Sequence, residues 1–330
     1  MTRLLGFGSA FPEYELSPEA SRRALSRVWP HLGAVKGEPV TRRLALPIEQ
    51  VLTPRSLEED MAVYRREAGR LAAEAARAAL ESSGVAASEV DCLIAVSCTG
   101  YLVPGLDVIV RRQMGLAPDV LRVSLTEHGC SGGGAALGLA HRLCAGHQVA
   151  IALVVCVELC SLTFRAGDDS LDNLAASLVF GDGAAAAVVA DRPGGLQMVR
   201  VGSVVIPGTE GILGFDLRDD GFHPVLDRHL PGLLARELPL ALAEFGVGPG
   251  SFQAVHAGGP RIFDAVEAAL GLTQGELRTS RDVYRRHGNL SSASLLLVLS
   301  ALPSVPGDGL ALAFGPGVAV EMLQLRRLPE

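Results

Sequence analysis

The amino-acid sequence repeats itself once, at a constant offset of 159 residues. Val96 in CLIAVSCTG falls on Val255 in FQAVHAGG, and Gly129-Cys130-Ser131-Gly132 falls on Gly288-Asn289-Leu290-Ser291. The apolar run Ile151–Val155 falls on Leu310–Phe314. Three segments keeping one offset point to duplication of a single unit, and two copies are too few for a solenoid, which needs three or more. Each copy reads alike. An Ala-rich amphipathic helix (Glu59–Ser83; about Asp227–Phe245) precedes an apolar strand (Cys92–Val96; Ala254–His256). A small-residue turn then opens a helix (Ser131–Cys144; Leu290–Leu302), and a second buried strand follows (Val149–Val157; Gly309–Phe314). Strands that are apolar throughout and alternate with helices predict a sheet covered on both faces. The fold class expected is α/β, a duplicated five-layer αβαβα arrangement. Asp191-Arg192-Pro193-Gly194-Gly195 divides it into halves at 1–193 and 194–330.

Composition narrows the function. With 330 residues, 48% hydrophobic and 20% charged, the chain can bury a large core and is not a disordered segment. Its net charge is −7 and it has no dense basic block, which argues against nucleic acid as a partner. Lys36 is the only lysine, so an anionic ligand is expected to meet arginine or backbone N–H groups. Val149–Val157 and Leu295–Leu299 fall short of the roughly 18–20 apolar residues of a membrane span. Leu4–Phe11 reads as a first strand rather than an export signal. The six cysteines match no zinc spacing, so no metal is expected, and they are predicted to be reduced thiols in a cytoplasm.

Three residues stand where chemistry could sit. Cys130 lies between small residues at a strand-to-helix turn, where free N–H groups and the helix dipole favour a nucleophilic thiolate. It also reads as a small buried core residue. His256 ends an apolar strand beside Ala257-Gly258-Gly259, placed to face a pocket or to be an ordinary satisfied histidine. Asn289 reads as a helix N-cap, yet it occupies in the second copy the place of Cys130 in the first. Pseudo-twofold packing would bring the two helix N-termini to one site. A thiol, an imidazole and a carboxamide there suit acyl transfer or carbon–carbon bond formation on a thioester.

GCSGGG at Gly129–Gly134, VVCVELCSLTFR at Val154–Arg165 and FGDGAAAAVV at Phe180–Val189 resemble the type III polyketide synthases, the chalcone synthase-like family. HAGGPRI at His256–Ile262, GNLSSAS at Gly288–Ser294 and FGPGVAVE at Phe314–Glu321 carry the same likeness. TRRLALPIEQVL at Thr41–Leu52, SCTGYLVPGLD at Ser97–Asp107 and FDLRDDGFHPVLD at Phe215–Asp227 are similar to bacterial members.

The resemblance implies a thiolase-like fold, a homodimer, and Cys130, His256 and Asn289 as catalytic residues, with Cys130 and His256 paired as thiolate and imidazolium. It implies no cofactor, acyl-CoA and malonyl-CoA being the substrates. A loop at Tyr101-Leu102-Val103-Pro104 is expected to cross to the neighbouring subunit, placing Val103 at its cavity. One gatekeeping phenylalanine falls on Phe222; the other is expected near Leu196–Val199, where no phenylalanine occurs. Cys98, Gly258 and Ser291 are expected substrate contacts. Arg42 and Arg43 are candidates for the CoA phosphates, or an exposed basic pair. A ketosynthase III-like single condensation, or acyl transfer to oxygen or nitrogen, would use the same three residues.

Overall fold

The computed structural model describes residues 1–30 and 40–329. The chain opens with β1 (Arg3–Ala10), β2 (Tyr14–Leu16), α1 (Pro18–Val28), β3 (Arg42–Leu44), α2 (Ile48–Val51) and α3 (Leu57–Ser83). Next come β4 (Cys92–Val96), α4 (Leu106–Met114), β5 (Leu121–Leu125), α5 (Gly132–Ala145), β6 (Ile151–Leu159), α6 (Leu171–Val179) and β7 (Asp182–Ala190). The second half holds β8 (Leu196–Val205), β9 (Leu213–Arg218), β10 (Gly221–Leu226), α7 (Leu230–Phe245), β11 (Phe252–Val255) and α8 (Pro260–Leu270). It closes with α9 (Arg278–His287), α10 (Ala293–Ser300), β12 (Gly307–Gly315) and β13 (Ala319–Arg327). Local chemistry explains the ends of the long helix α3. Ser56 and Glu59 form a reciprocal capping box at its start, and Gly84 stops it in the left-handed conformation at φ 67°.

The duplication is legible in the sheet. The strand order is β11-β12-β13-β8-β1-β7-β6-β4-β5. Outward from the middle, β1-β7-β6-β4 and β8-β13-β12-β11 run the same course: two antiparallel pairings, then a parallel one. Among the strands described, the two halves pair at Arg3–Gln197 and Leu4–Leu196. Helices α5 and α10 lie between them, α5 on β4, β6 and β7 and also on β8, β12 and β13, α10 on β1, β6 and β7 and also on β11 and β12. With α3 outside the first half and α7 and α8 outside the second, five layers alternate helix and sheet. Strands β6 and β7 are buried at every residue, as a sheet covered on both faces requires. One expectation fails locally. Asn289 is not an N-cap: α10 begins at Ala293, and Asn289 sits in a β-bridge with Phe180. Its N–H donates to the Val179 carbonyl and its carbonyl accepts from Gly181, so neighbouring backbone satisfies it without a cap.

Where α5 and α10 meet, only glycine fits. A Cβ on Gly133 would stand 2.3 Å from the Ser292 carbonyl oxygen and 2.9 Å from Leu296 Cδ1. Gly138, further along the same helix, has nothing within 3.6 Å of that position except the Arg142 guanidinium tip at that distance. Gly133→Ala is therefore expected to destabilise the fold by about 1–3 kcal/mol through overpacking. Gly138→Ala should be neutral or stabilising by up to about 1 kcal/mol, since it removes glycine from a helix interior. Urea denaturation of the two variants measures the contrast.

Candidate active site

Cys130 lies in a single turn of 3₁₀ helix, Gly129–Ser131, that runs straight into α5. Asn289 donates from Nδ2 to the Cys130 sulfur at 3.9 Å. His256 follows the end of β11, where its N–H donates to the Leu312 carbonyl. Its ring stands edge-on to Phe314, centroids 5.5 Å apart. Phe314 leads through Gly315 into Pro316, and those two residues pack against Ser131 and Gly129. Asn289 thus meets Cys130 directly, and the segment from Phe314 to Pro316 links His256 to the turn that holds Cys130. Cys130, His256 and Asn289 are all buried.

Burial sets the electrostatics. It pushes the Cys130 thiol up to about 11, while hydrogen bonds from Ser291, Asn289 and the backbone pull the other way. It pushes the His256 imidazole down to about 4. The Phe314 N–H donates to Nδ1 of His256 at 3.4 Å, which leaves the ring proton on Nε2. An imidazolium would carry a second proton against that N–H. The expected imidazolium is therefore opposed twice, by burial and by a backbone donor, and the geometry favours a neutral ring offering Nε2–H. Gly258 makes room for it: a Cβ there would lie 3.0 Å from Nε2.

A cavity opens beside Cys130, lined by Cys98, Cys160, Phe180, Phe215, Pro224 and Ser291 among others. Of the expected substrate contacts, Cys98 and Ser291 both line it, their side chains 3.4 Å apart. The other expected contacts differ. Phe222 does not line the cavity; it packs edge-on against Phe215, which does. Leu196–Val199 lies in β8, with Leu196 and Met198 buried in the sheet, and the cavity's aromatic walls are Phe180 and Phe215. Val103 is 75% exposed and is not among the residues lining the cavity beside Cys130. Arg42 is a correction. It is wholly buried, donating to the Phe180 carbonyl and the Ser21 hydroxyl, and burial lowers its pKa to about 10. No CoA phosphate can reach it, so it braces the Phe180 segment instead. Arg43 is engaged by Glu15 and by the carbonyls of Pro12 and Glu13.

Glu158 went unnoticed in the sequence, although it is the one carboxylate in the otherwise apolar strand β6. It is fully buried beneath the cavity. It accepts from the Thr99 hydroxyl at 2.8 Å, the Cys98 N–H at 3.1 Å and the Ser97 hydroxyl at 3.4 Å, and from Ser292. Burial raises its pKa and these donors oppose the rise. Among the described residues, no group of three or more His, Cys, Asp or Glu could hold a metal ion.

A duplicated five-layer sheet with a thiol, an imidazole and a carboxamide at its seam defines a thiolase-fold enzyme that works on thioesters. Known proteins narrow the class. Residues 47–193 match the family model for the N-terminal domain of chalcone and stilbene synthases, and 197–329 that for the C-terminal domain. A 1,3,6,8-tetrahydroxynaphthalene synthase of Streptomyces peucetius subsp. caesius is 38% identical, over 94% of this chain and 85% of that protein. Its counterpart from Streptomyces coelicolor is 36% identical, over 86% and 78%. The crystal structure of the Streptomyces coelicolor synthase, a bacterial type III polyketide synthase, superimposes with a TM-score of 0.91 at 31% identity, covering 99% of this chain and 100% of that one. A fungal type III polyketide synthase gives 0.88 at 28% identity, over 99% of both chains. The chain belongs to the type III polyketide synthase family. It is an acyltransferase that condenses malonyl-CoA iteratively on an acyl starter and cyclises the product to a phenol, with CoA thioesters and no further cofactor.

Two outcomes follow from this geometry. Burial raises the Cys130 thiol to about 11 while the Asn289 amide opposes the rise, so Asn289→Ala leaves burial more nearly unopposed. Alkylation of Cys130 by iodoacetamide should then need more alkaline pH than in the parent protein. A profile unmoved by the substitution would mean that the amide does not touch the thiol's proton equilibrium. Glu158→Gln turns an acceptor-only group into one that donates towards four converging donors. It should cost about 1–3 kcal/mol in urea unfolding.

Proposed function

We propose that Cys130 carries the growing chain while His256 and Asn289 handle the malonyl unit. The observation that carries this reading is the Asn289 amide nitrogen aimed at the Cys130 sulfur across the seam. The Cys130 thiolate attacks the carbonyl carbon of the starter thioester; the tetrahedral adduct collapses and CoA leaves, taking up the proton that Cys130 gave up. Malonyl-CoA then loses CO2. The electron pair of the breaking bond becomes an enolate, whose oxygen accepts from His256 Nε2–H and Asn289 Nδ2–H. One such donor is typically worth about 10²–10³ in rate. The enolate carbon attacks the acyl-Cys130 carbonyl, a carbon–carbon bond forms, and the Cys130 thiolate is released for the next transfer. Neutral donors suit this step, since charge develops on the enolate oxygen and a buried cation beforehand would be costly.

The product proposed is a polyhydroxylated naphthalene built from malonyl-CoA alone. Its support is the match to two tetrahydroxynaphthalene synthases over most of their length. The working form proposed is a homodimer in the cytoplasm. Strand β5 is the edge of the sheet with exposed side chains along it, and Tyr101 and Val103 stand 69% and 75% exposed on the neighbouring loop. Apolar side chains so exposed mark a surface awaiting cover. Of the described helices, none is long and apolar enough to cross a membrane.

Purified protein given malonyl-CoA, alone and with a ladder of acyl-CoA starters, should release an aromatic phenol from malonyl-CoA alone. Cys130→Ala should abolish it, with products read by mass spectrometry. Chain extension from no starter at all would overturn the assignment of Cys130. Extension only from an added acyl-CoA would overturn the product while keeping the mechanism.

A further inference from the structure

A carboxamide has two ends of nearly one shape, so packing alone does not decide which faces the sulfur; hydrogen-bond partners do. In Asn289 the oxygen end is occupied. Oδ1 accepts from the Ser291 N–H at 2.8 Å and from the Ser294 hydroxyl at 3.1 Å. The Ser294 hydroxyl has one proton and accepts the Leu290 N–H at 2.8 Å. Its proton is given to Oδ1. A flipped amide would press its NH2 against the Ser291 N–H, lose the bond from the Ser294 hydroxyl and turn an acceptor towards Cys130. Ser291 reaches this arrangement in the left-handed region, at φ 48°, an uncommon conformation for a residue with a side chain. Ser294 is wholly buried in the first turn of α10 and lines no part of the cavity.

We propose that Ser294 is a positioning residue, setting the Asn289 carboxamide so that its NH2 is presented to the reacting thioester. This rests on the reading that Asn289 donates to the malonyl thioester oxygen. Ser294 touches neither substrate nor nucleophile and acts only through Asn289. Its substitution should therefore fall harder on decarboxylation, where Asn289 works, than on loading of the starter. Loss of orientation should lower decarboxylation by about tenfold to a hundredfold, the scale of a misplaced catalytic group.

The test compares Ser294→Ala, Ser294→Cys, Asn289→Ala and the Ser294→Ala/Asn289→Ala double variant. CO2 release from malonyl-CoA and single-turnover acylation of Cys130 by a starter acyl-CoA are both measured. Ser294→Ala also strands the buried Leu290 N–H, so Ser294→Cys, which keeps a weak donor and acceptor, carries the test if the alanine variant does not fold. The expected result is a loss of CO2 release larger than the loss of acylation, smaller for Ser294→Cys. In the Asn289→Ala background, adding Ser294→Ala should change the residual rate no further. Equal losses in both backgrounds, or parent-level CO2 release from Ser294→Ala and Ser294→Cys while Asn289→Ala is impaired, would overturn the role of Ser294 alone. Parent-level CO2 release from Asn289→Ala would overturn the reading beneath it.

Discussion

The contact between the N-termini of α5 and α10 is the constraint on which the rest depends. Each helix is wedged between two half-sheets, and the only route to a shared site is for the two starts to touch. Gly133 stands against the Ser292 carbonyl with no space for a side chain, and Gly132 faces the Ser292 Cβ and Val96. Backbone-to-backbone approach at this point brings the turn before α5, with Cys130, against the turn before α10, with Asn289. Side chains there would prop the halves apart, and a misplacement of an ångström at the reacting centre is costly to rate.

Once the seam closes, its dryness governs the chemistry. Burial disfavours both a thiolate at Cys130 and an imidazolium at His256. The protein answers with donors: the Asn289 amide, the Ser291 hydroxyl and the N–H of Cys130 itself. The Phe314 N–H holds His256 in the tautomer whose free proton is on Nε2. In a low-dielectric site such preset dipoles are worth more than in water and need no reorganisation as charge appears. Glu158 beneath the cavity shows the same economy, its carboxylate tied by serine, threonine and backbone donors rather than by a cation.

Much of this was legible in the sequence. The offset that pairs Cys130 with Asn289 also pairs β4 with β11 and β6 with β12, because both copies wind the same way. Uninterrupted apolar runs marked the buried strands, since a strand covered on both faces has no polar side. The errors fall where a one-dimensional pattern has nothing to read. Arg42 looked like a surface cation because an arginine pair is usually solvated, yet it is buried behind Phe180. Asn289 looked like a cap, since asparagine before an apolar helix usually is one.

The sequence by itself determined the duplication, the alternation of helix and strand, and the three polar side chains that the family shares. Those are properties of residue order, carried by periodicity and by motifs. Tertiary structure alone decided that burial and the Phe314 N–H oppose an imidazolium, that Phe180 and Phe215 wall the cavity, and that a serine in the first turn of α10 donates to the Asn289 oxygen. Each of these depends on which groups from distant segments share a dry space. Desolvation and hydrogen-bond direction, not residue type, set what a side chain does there.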